Sequence, residues 1–220
     1  MISGNKHTTL KQAIKYPLFF VFLMWSLHII KVLGGFNWNI YGIHPREADG
    51  LTGILMSPLL HSGFKHLLSN TIPLFLMFTL ISLFYSKVAK LSFIAIYLLT
   101  GISVWFFGRH VYHIGASGVV YGLISFVFWS GIFRKNFKSV ILTIIIIFLY
   151  SGYIAGVFPG QEGISWESHL LGAVVGMLVA FIVRNVREQH EIDDIRREKM
   201  RVDDYEENYF FDRDVFEDKS

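Results

Sequence analysis

Six runs of about 20 predominantly apolar residues constrain this chain more than any other feature of it. A helix needs about that many residues to cross the hydrocarbon core of a bilayer. Within lipid, backbone polar groups are satisfied only in helices or closed barrels. The runs cover roughly residues 17–34, 66–85, 88–107, 117–133, 138–157 and 169–184. The second and fourth carry Ser, Asn and Gly, which lowers their hydropathy; the fifth, with Ile144 to Ile147, is the plainest. The pattern predicts an all-α membrane protein, a bundle of six transmembrane helices.

Charge placement orients that bundle. Residues 1–183 hold 12 basic and 4 acidic side chains, whereas residues 184–220 hold 8 basic and 13 acidic ones. The overall +3 therefore joins a basic apolar body to an acidic polar tail. Lys6, Lys11 and Lys15 precede the first run, Lys87 and Lys90 separate the second and third, and Arg134, Lys135 and Lys138 separate the fourth and fifth. Arg184 and Arg187 follow the last. Cytoplasmic loops collect Lys and Arg, so both termini are expected in the cytoplasm. Loops 35–65, 108–116 and 158–168 then face outward. Because the basic residues sit between apolar runs, they speak for topology and not for nucleic acid binding. No small-residue cleavage site follows the first run, which is expected to be a retained membrane helix. The expected organisation is a cytoplasmic segment 1–16, a six-helix domain 17–184 with a long outer loop 35–65, and a charged cytoplasmic tail 185–220.

There is no cysteine, which excludes disulfides and thiolate chemistry within the chain. Polar side chains inside a membrane bundle are costly and are functional candidates by default. They form three clusters. In HSGFKHLLSN, His66 and Asn70 lie four apart and share a helix face, where an imidazole N–H and a carboxamide NH₂ can serve one developing negative charge; His61 precedes them. In GASGVVYG, residues 115–122, Ser117 lies between Gly115 and Gly118, small neighbours that allow close approach to its hydroxyl. In SHLLGAVVG, residues 168–176, His169 precedes Gly172 and Gly176, whose spacing makes a close-packing face. Taken singly, each cluster has a plain explanation as packing or interfacial polarity. All three, however, open even-numbered spans and so fall at one depth near the outer face. A serine needs an adjacent base to become a nucleophile, and histidine is the usual one. Nucleophile, base and oxyanion donors at one depth are what acyl transfer requires. No acid lies within the spans to orient His169, so a dyad is expected. Glu167 is expected in the loop, and Tyr121, one turn beyond Ser117, is placed to pack on the imidazole.

Together these motifs resemble the rhomboid family of intramembrane serine proteases: His66-x-x-x-Asn70, Gly115-Ala-Ser117-Gly118-x-x-Tyr121 and His169-x-x-Gly172-x-x-x-Gly176. The outer loop, GIHPRE followed by GLTGILMSPLLHSG, resembles the bacterial version, and the likeness covers roughly residues 15–184. The resemblance implies the basic six-helix form, with a site sunk below the outer surface of a bacterial inner membrane. It implies Ser117 as nucleophile, His169 as base and then acid, and His66, Asn70 and the Ser117 backbone N–H as oxyanion stabilisers. His61 matches a structural histidine. The loop between spans five and six would cap the site, and span five would gate access. Substrates would be single-span membrane proteins, and no cofactor or metal is implied. Trp38 and Arg46 are separated here, so the Trp-Arg pair of some members is not transferred. Residue 168 is Ser where the family usually has Gly or Ala.

Two other classes are compatible with such a chain. A catalytically inactive rhomboid-like protein would bind or escort membrane clients, but such relatives usually lack the serine or the histidine. A metal-dependent membrane enzyme or transporter would draw on His61, His66, His110, His113 and His169. The His-Glu-x-x-His signature of intramembrane metalloproteases is absent, and the spans carry no acids.

Overall fold

The structure is a computed structural model that describes residues 8–150, 156–159 and 165–209. Among the described residues four helices are long and apolar enough to cross a membrane: α1 (Leu10–Leu33), α3 (Phe64–Phe84), α4 (Ala89–Phe107) and α5 (Ser117–Arg134). Two shorter apolar helices, α6 (Phe137–Tyr150) and α7 (Trp166–Ile182), pack with them. The fold is therefore that of a helical, multi-pass integral membrane protein. Residues 151–155 of the expected fifth span, and residues 160–164 of the expected cap between spans five and six, lie outside the described residues.

α1 starts earlier than hydropathy predicts. Thr9 and Gln12 form a capping box that satisfies the first orphan amides, so the helix begins at Leu10 and carries Pro17 inside it. α7 also starts earlier, at Trp166. Glu167, expected in the loop, therefore lies in the first turn of a helix, and His169 is its fourth residue. The charged stretch after the bundle is a helix of its own, α8 (Gln189–Tyr209), and not a continuation of α7. It belongs to a second compact unit beginning at Arg187.

The outer loop has structure of its own: a short helix α2 (Gly53–Met56) and three 3₁₀ turns. Arg46, in the left-handed region at φ 66°, fastens it to the end of α4. Its guanidinium donates to the carbonyls of Phe106 at 3.2 Å and Gly108 at 2.9 Å. A cation there also complements the negative end of the helix. Ile43 and His113 exchange backbone hydrogen bonds, which joins the outer loop to the strand-like approach to α5.

The closest helix pair is α5 with α7, and glycine explains why. A Cβ on Gly172 would fall 2.0 Å from the Gly118 carbonyl oxygen, and one on Gly176 would fall 2.0 Å from that of Gly122. The two backbones therefore touch along Gly118-x-x-x-Gly122 and Gly172-x-x-x-Gly176, the close approach that small residues permit. Ser125 donates across the seam to the Ala173 carbonyl at 2.6 Å. At the far end the buried Arg134 of α5 donates to the carbonyls of Val183 and Val186 beyond α7. Its guanidinium sits 5.0 Å from the Tyr85 ring. Around this seam the core is apolar, with Leu123, Phe126, Val127, Val175, Val179 and Ala180 buried. The seam fixes the first turns of both helices against each other, and those turns carry the polar residues considered next.

Candidate active site

Ser117 opens α5, and its hydroxyl lies 2.9 Å from Nε2 of His169. The other ring nitrogen, Nδ1, lies 2.8 Å from the carbonyl oxygen of Gly156. A carbonyl can only accept, so Nδ1 carries the proton. In the neutral imidazole Nε2 then holds the lone pair and accepts from the Ser117 hydroxyl. The ring of Tyr121 stacks on the imidazole, with centroids 4.1 Å apart and planes within 9°. Hydrogen bond and stacking together hold the histidine in one tautomer and one orientation, although no carboxylate among the described residues bonds to it.

His66 and Asn70 face the same cavity from α3. Gly115, at φ 109°, turns the chain into α5 and leaves room for them. A Cβ there would come within 2.6 Å of His66 Nε2 and 3.7 Å of Asn70 Nδ2. The Asn70 amide spends one N–H on the His66 carbonyl at 3.0 Å, and Nδ1 of His66 pairs with the Ser62 hydroxyl at 3.1 Å. His61 lies fully buried behind His66, edge to face with centroids 5.0 Å apart. Burial and the neighbouring His66 push the pKa of His61 down to about 3. Ser117, His169, His66, Asn70 and Tyr121 all line one cavity of about 970 Å³.

Several contributors to this site carry no motif in the sequence. The Gly156 carbonyl is a backbone group. Gly122 is the partner of Gly176, and its four-residue spacing from Gly118 was the available signal. Arg109 forms an ion pair with the buried Glu167 across the outer face of the site. Both residues lie in segments expected outside, with opposite charge.

A further contributor is a chain of hydroxyls ending on His113. Nε2 of His113 donates to the Arg109 carbonyl at 2.9 Å, so Nδ1 accepts from Ser165 at 2.5 Å. Ser165 in turn accepts from Ser168 at 2.6 Å. Burial holds the pKa of His113 below the usual histidine range. Ser168, the departure from the usual Gly or Ala, thus ties the start of α7 to the loop before α5. Further out, the Tyr112 hydroxyl donates to Asp49 at 2.9 Å, which holds that carboxyl below its ordinary range. Among the described residues no group of three His, Asp or Glu side chains gathers as metal ligands.

The Rhomboid domain profile matches residues 48–186, which spans all of these elements except α1, α8 and the beginning of the outer loop. The chain belongs to the rhomboid family. An uncharacterised protein of Mycobacterium tuberculosis is 32% identical over 199 residues, covering 82% of this chain and 83% of the relative. One from Mycobacterium leprae is 30% identical over 177 residues, covering 76% and 69%. YdcA of Bacillus subtilis, named as a candidate rhomboid protease, is 27% identical over 163 residues, covering 69% and 77%. Membership of the rhomboid family points to intramembrane protease activity.

Proposed function

We propose that this rhomboid is an intramembrane serine endopeptidase that cleaves single-span membrane proteins with Ser117 and His169. The observation that supports this most is the 2.9 Å contact between the Ser117 hydroxyl and His169 Nε2, with Nδ1 committed to the Gly156 carbonyl. In the proposed reaction the Ser117 hydroxyl proton passes to Nε2 while Oγ bonds to the scissile carbonyl carbon. The resulting oxyanion takes hydrogen bonds from Asn70 Nδ2, His66 Nε2 and the Ser117 backbone N–H, which is free because it opens a helix. His169 then gives its proton to the leaving amine as the C–N bond breaks. Water attacks the acyl-enzyme, His169 takes a proton from it, and the serine is restored as the new carboxyl product leaves.

The same proposal includes six spans, with α6 and α7 as the fifth and sixth, and both termini in the cytoplasm. Residues 17–184 then form the protease domain, flanked by segments 1–16 and 185–220. The cavity opens to the outer side of a bacterial inner membrane, and span five with the cap gates access to it. Gly115, Gly118, Gly172 and Gly176 provide the close approach, and Tyr121 and His61 the support. To test the proposal, wild type and Ser117→Ala are purified and each is incubated with a model single-span substrate. Wild type should cleave and take up a fluorophosphonate label, while the variant should do neither. Equal cleavage by both would refute the dyad.

A further inference from the structure

A second cavity, of about 340 Å³, lies at the opposite end of the bundle from Ser117, where α1 begins, α3 ends and α4 begins. Its polar lining is Thr8, Gln12, Lys15, Ser82, Ser86 and Lys90, with Tyr16 beside them. The two lysines converge on one ring: Nζ of Lys90 lies 4.5 Å, and Nζ of Lys15 6.0 Å, from the centre of Tyr16. Among the described residues no carboxylate lines the cavity. The bundle also has few to offer, since residues 1–183 contain only Glu47, Asp49, Glu162 and Glu167. Asp49 pairs with Tyr112 in the outer region, and Glu167 with Arg109 beside the catalytic cavity. Two ammonium groups facing one cavity beside a single ring suit an anion, which is attracted by both. Hydroxyl and amide groups around them supply the hydrogen bonds a phosphate accepts.

We propose that this cavity binds the phosphate headgroup of an anionic membrane lipid. Its position favours a lipid over free phosphate. It lies at the level where three apolar helices end, the interfacial zone where Lys and Tyr gather. Leu10, Leu18 and Phe19 of α1 and Leu91 of α4, near the lining residues in sequence, stand more than half exposed, an apolar surface on which acyl chains can lie. Basic recesses between membrane helices on the cytoplasmic side are suited to such headgroups.

The full chain, purified in detergent micelles, is heated with phosphatidylglycerol, with phosphatidylcholine, or with inorganic phosphate alone. Phosphatidylglycerol at about 100 times its dissociation constant should raise the midpoint of wild type by roughly 5 °C. The rise should shrink in high salt. Lys15→Gln/Lys90→Gln should lose it, whereas Lys135→Gln/Lys138→Gln, which removes as much charge elsewhere, should keep it. Native mass spectrometry should show one fewer retained phosphatidylglycerol on the first variant, a readout independent of its stability. An equal rise with phosphatidylcholine or with inorganic phosphate would overturn the proposal. So would retention of the rise by Lys15→Gln/Lys90→Gln, or its equal loss from the control pair.

Discussion

The Gly156 carbonyl accepts a hydrogen bond from His169 Nδ1 at 2.8 Å, on the side of the imidazole opposite Ser117. A backbone oxygen here does the orienting work that an aspartate does in a catalytic triad, fixing the tautomer without burying a charge. The carboxylate nearest in sequence, Glu167 in the first turn of α7, is paired with Arg109 instead. Because the acceptor is neutral, it stabilises an imidazolium less than a carboxylate would. In the proposed reaction the electrostatic demand on His66, Asn70 and the Ser117 backbone N–H is correspondingly larger.

Asn70→Ala should therefore lower kcat by about 10²–10³ and leave KM nearly unchanged, because its amide meets the oxyanion only in the transition state. His66→Ala should fall in the same range. Steady-state kinetics on a fluorogenic membrane substrate would check both. A change confined to KM would place these side chains in substrate binding.

The glycine seam gives a sharper structural prediction. A Cβ at residue 172 has no room beside the Gly118 carbonyl, 2.0 Å away, so Gly172→Val must drive α5 and α7 apart. A displacement of about 1 Å at a catalytic pair costs on the order of 10² in rate. The variant should lose at least that much in kcat/KM, together with several degrees in Tm. Val174→Ala, at a half-exposed position on the same helix, should change neither by much. Full activity in Gly172→Val would mean that the seam does not position the dyad.

His61 gives a pH prediction. It stays neutral in the fold, with a pKa of about 3, against about 6.5 in an unfolded chain. As pH falls the unfolded state takes up this proton first. The contribution to stability is thus complete above about pH 6.5 and is lost progressively towards pH 3. The loss is at most about 1.4 kcal/mol per pH unit. Unfolding midpoints measured from pH 7.5 to 4.5 should fall less steeply in His61→Leu than in wild type, by up to one proton. Identical slopes would rule this out.

Arg109→Ala would leave Glu167 buried without its ion partner. The expected cost is about 2 kcal/mol or more. Adding Glu167→Gln should recover much of it, because the glutamine carries no charge. Chemical unfolding of the two single variants and the double variant would measure the coupling, and strict additivity would show that the pair does not interact.

The extent to which this architecture was legible from sequence follows from where the information lies. Gly172 and Gly176 could be read because small residues at a four-residue spacing have one obvious use in a membrane helix, and Gly118 and Gly122 are their counterpart. Ser117, His169, His66 and Asn70 stood out because polar groups are costly where lipid surrounds the helix. The Gly156 carbonyl could not be read, since every residue has a carbonyl. The start of α7 lies three residues before the apolar run for a related reason. Ser165 sits at the N-cap, but its hydroxyl is taken by His113 and Ser168 and makes no capping bond. The start of α1 was readable, as Thr9 and Gln12 have the capping-box spacing, but hydropathy drew the boundary to Pro17.

The hydroxyl of Ser117 and the ring of His169 are 52 residues apart in the chain, with all of α6 between them. A ribosome adds about 5–20 residues per second. For roughly 3–10 s after Ser117 is made, the base that would take its proton does not yet exist. If Ser117 and His169 form the proposed dyad, proteolytic competence arrives only when α7 docks on α5. A chain arrested before Ser168 should resist a fluorophosphonate probe that labels the finished protein; labelling of the arrested chain would show that the serine is activated without α7.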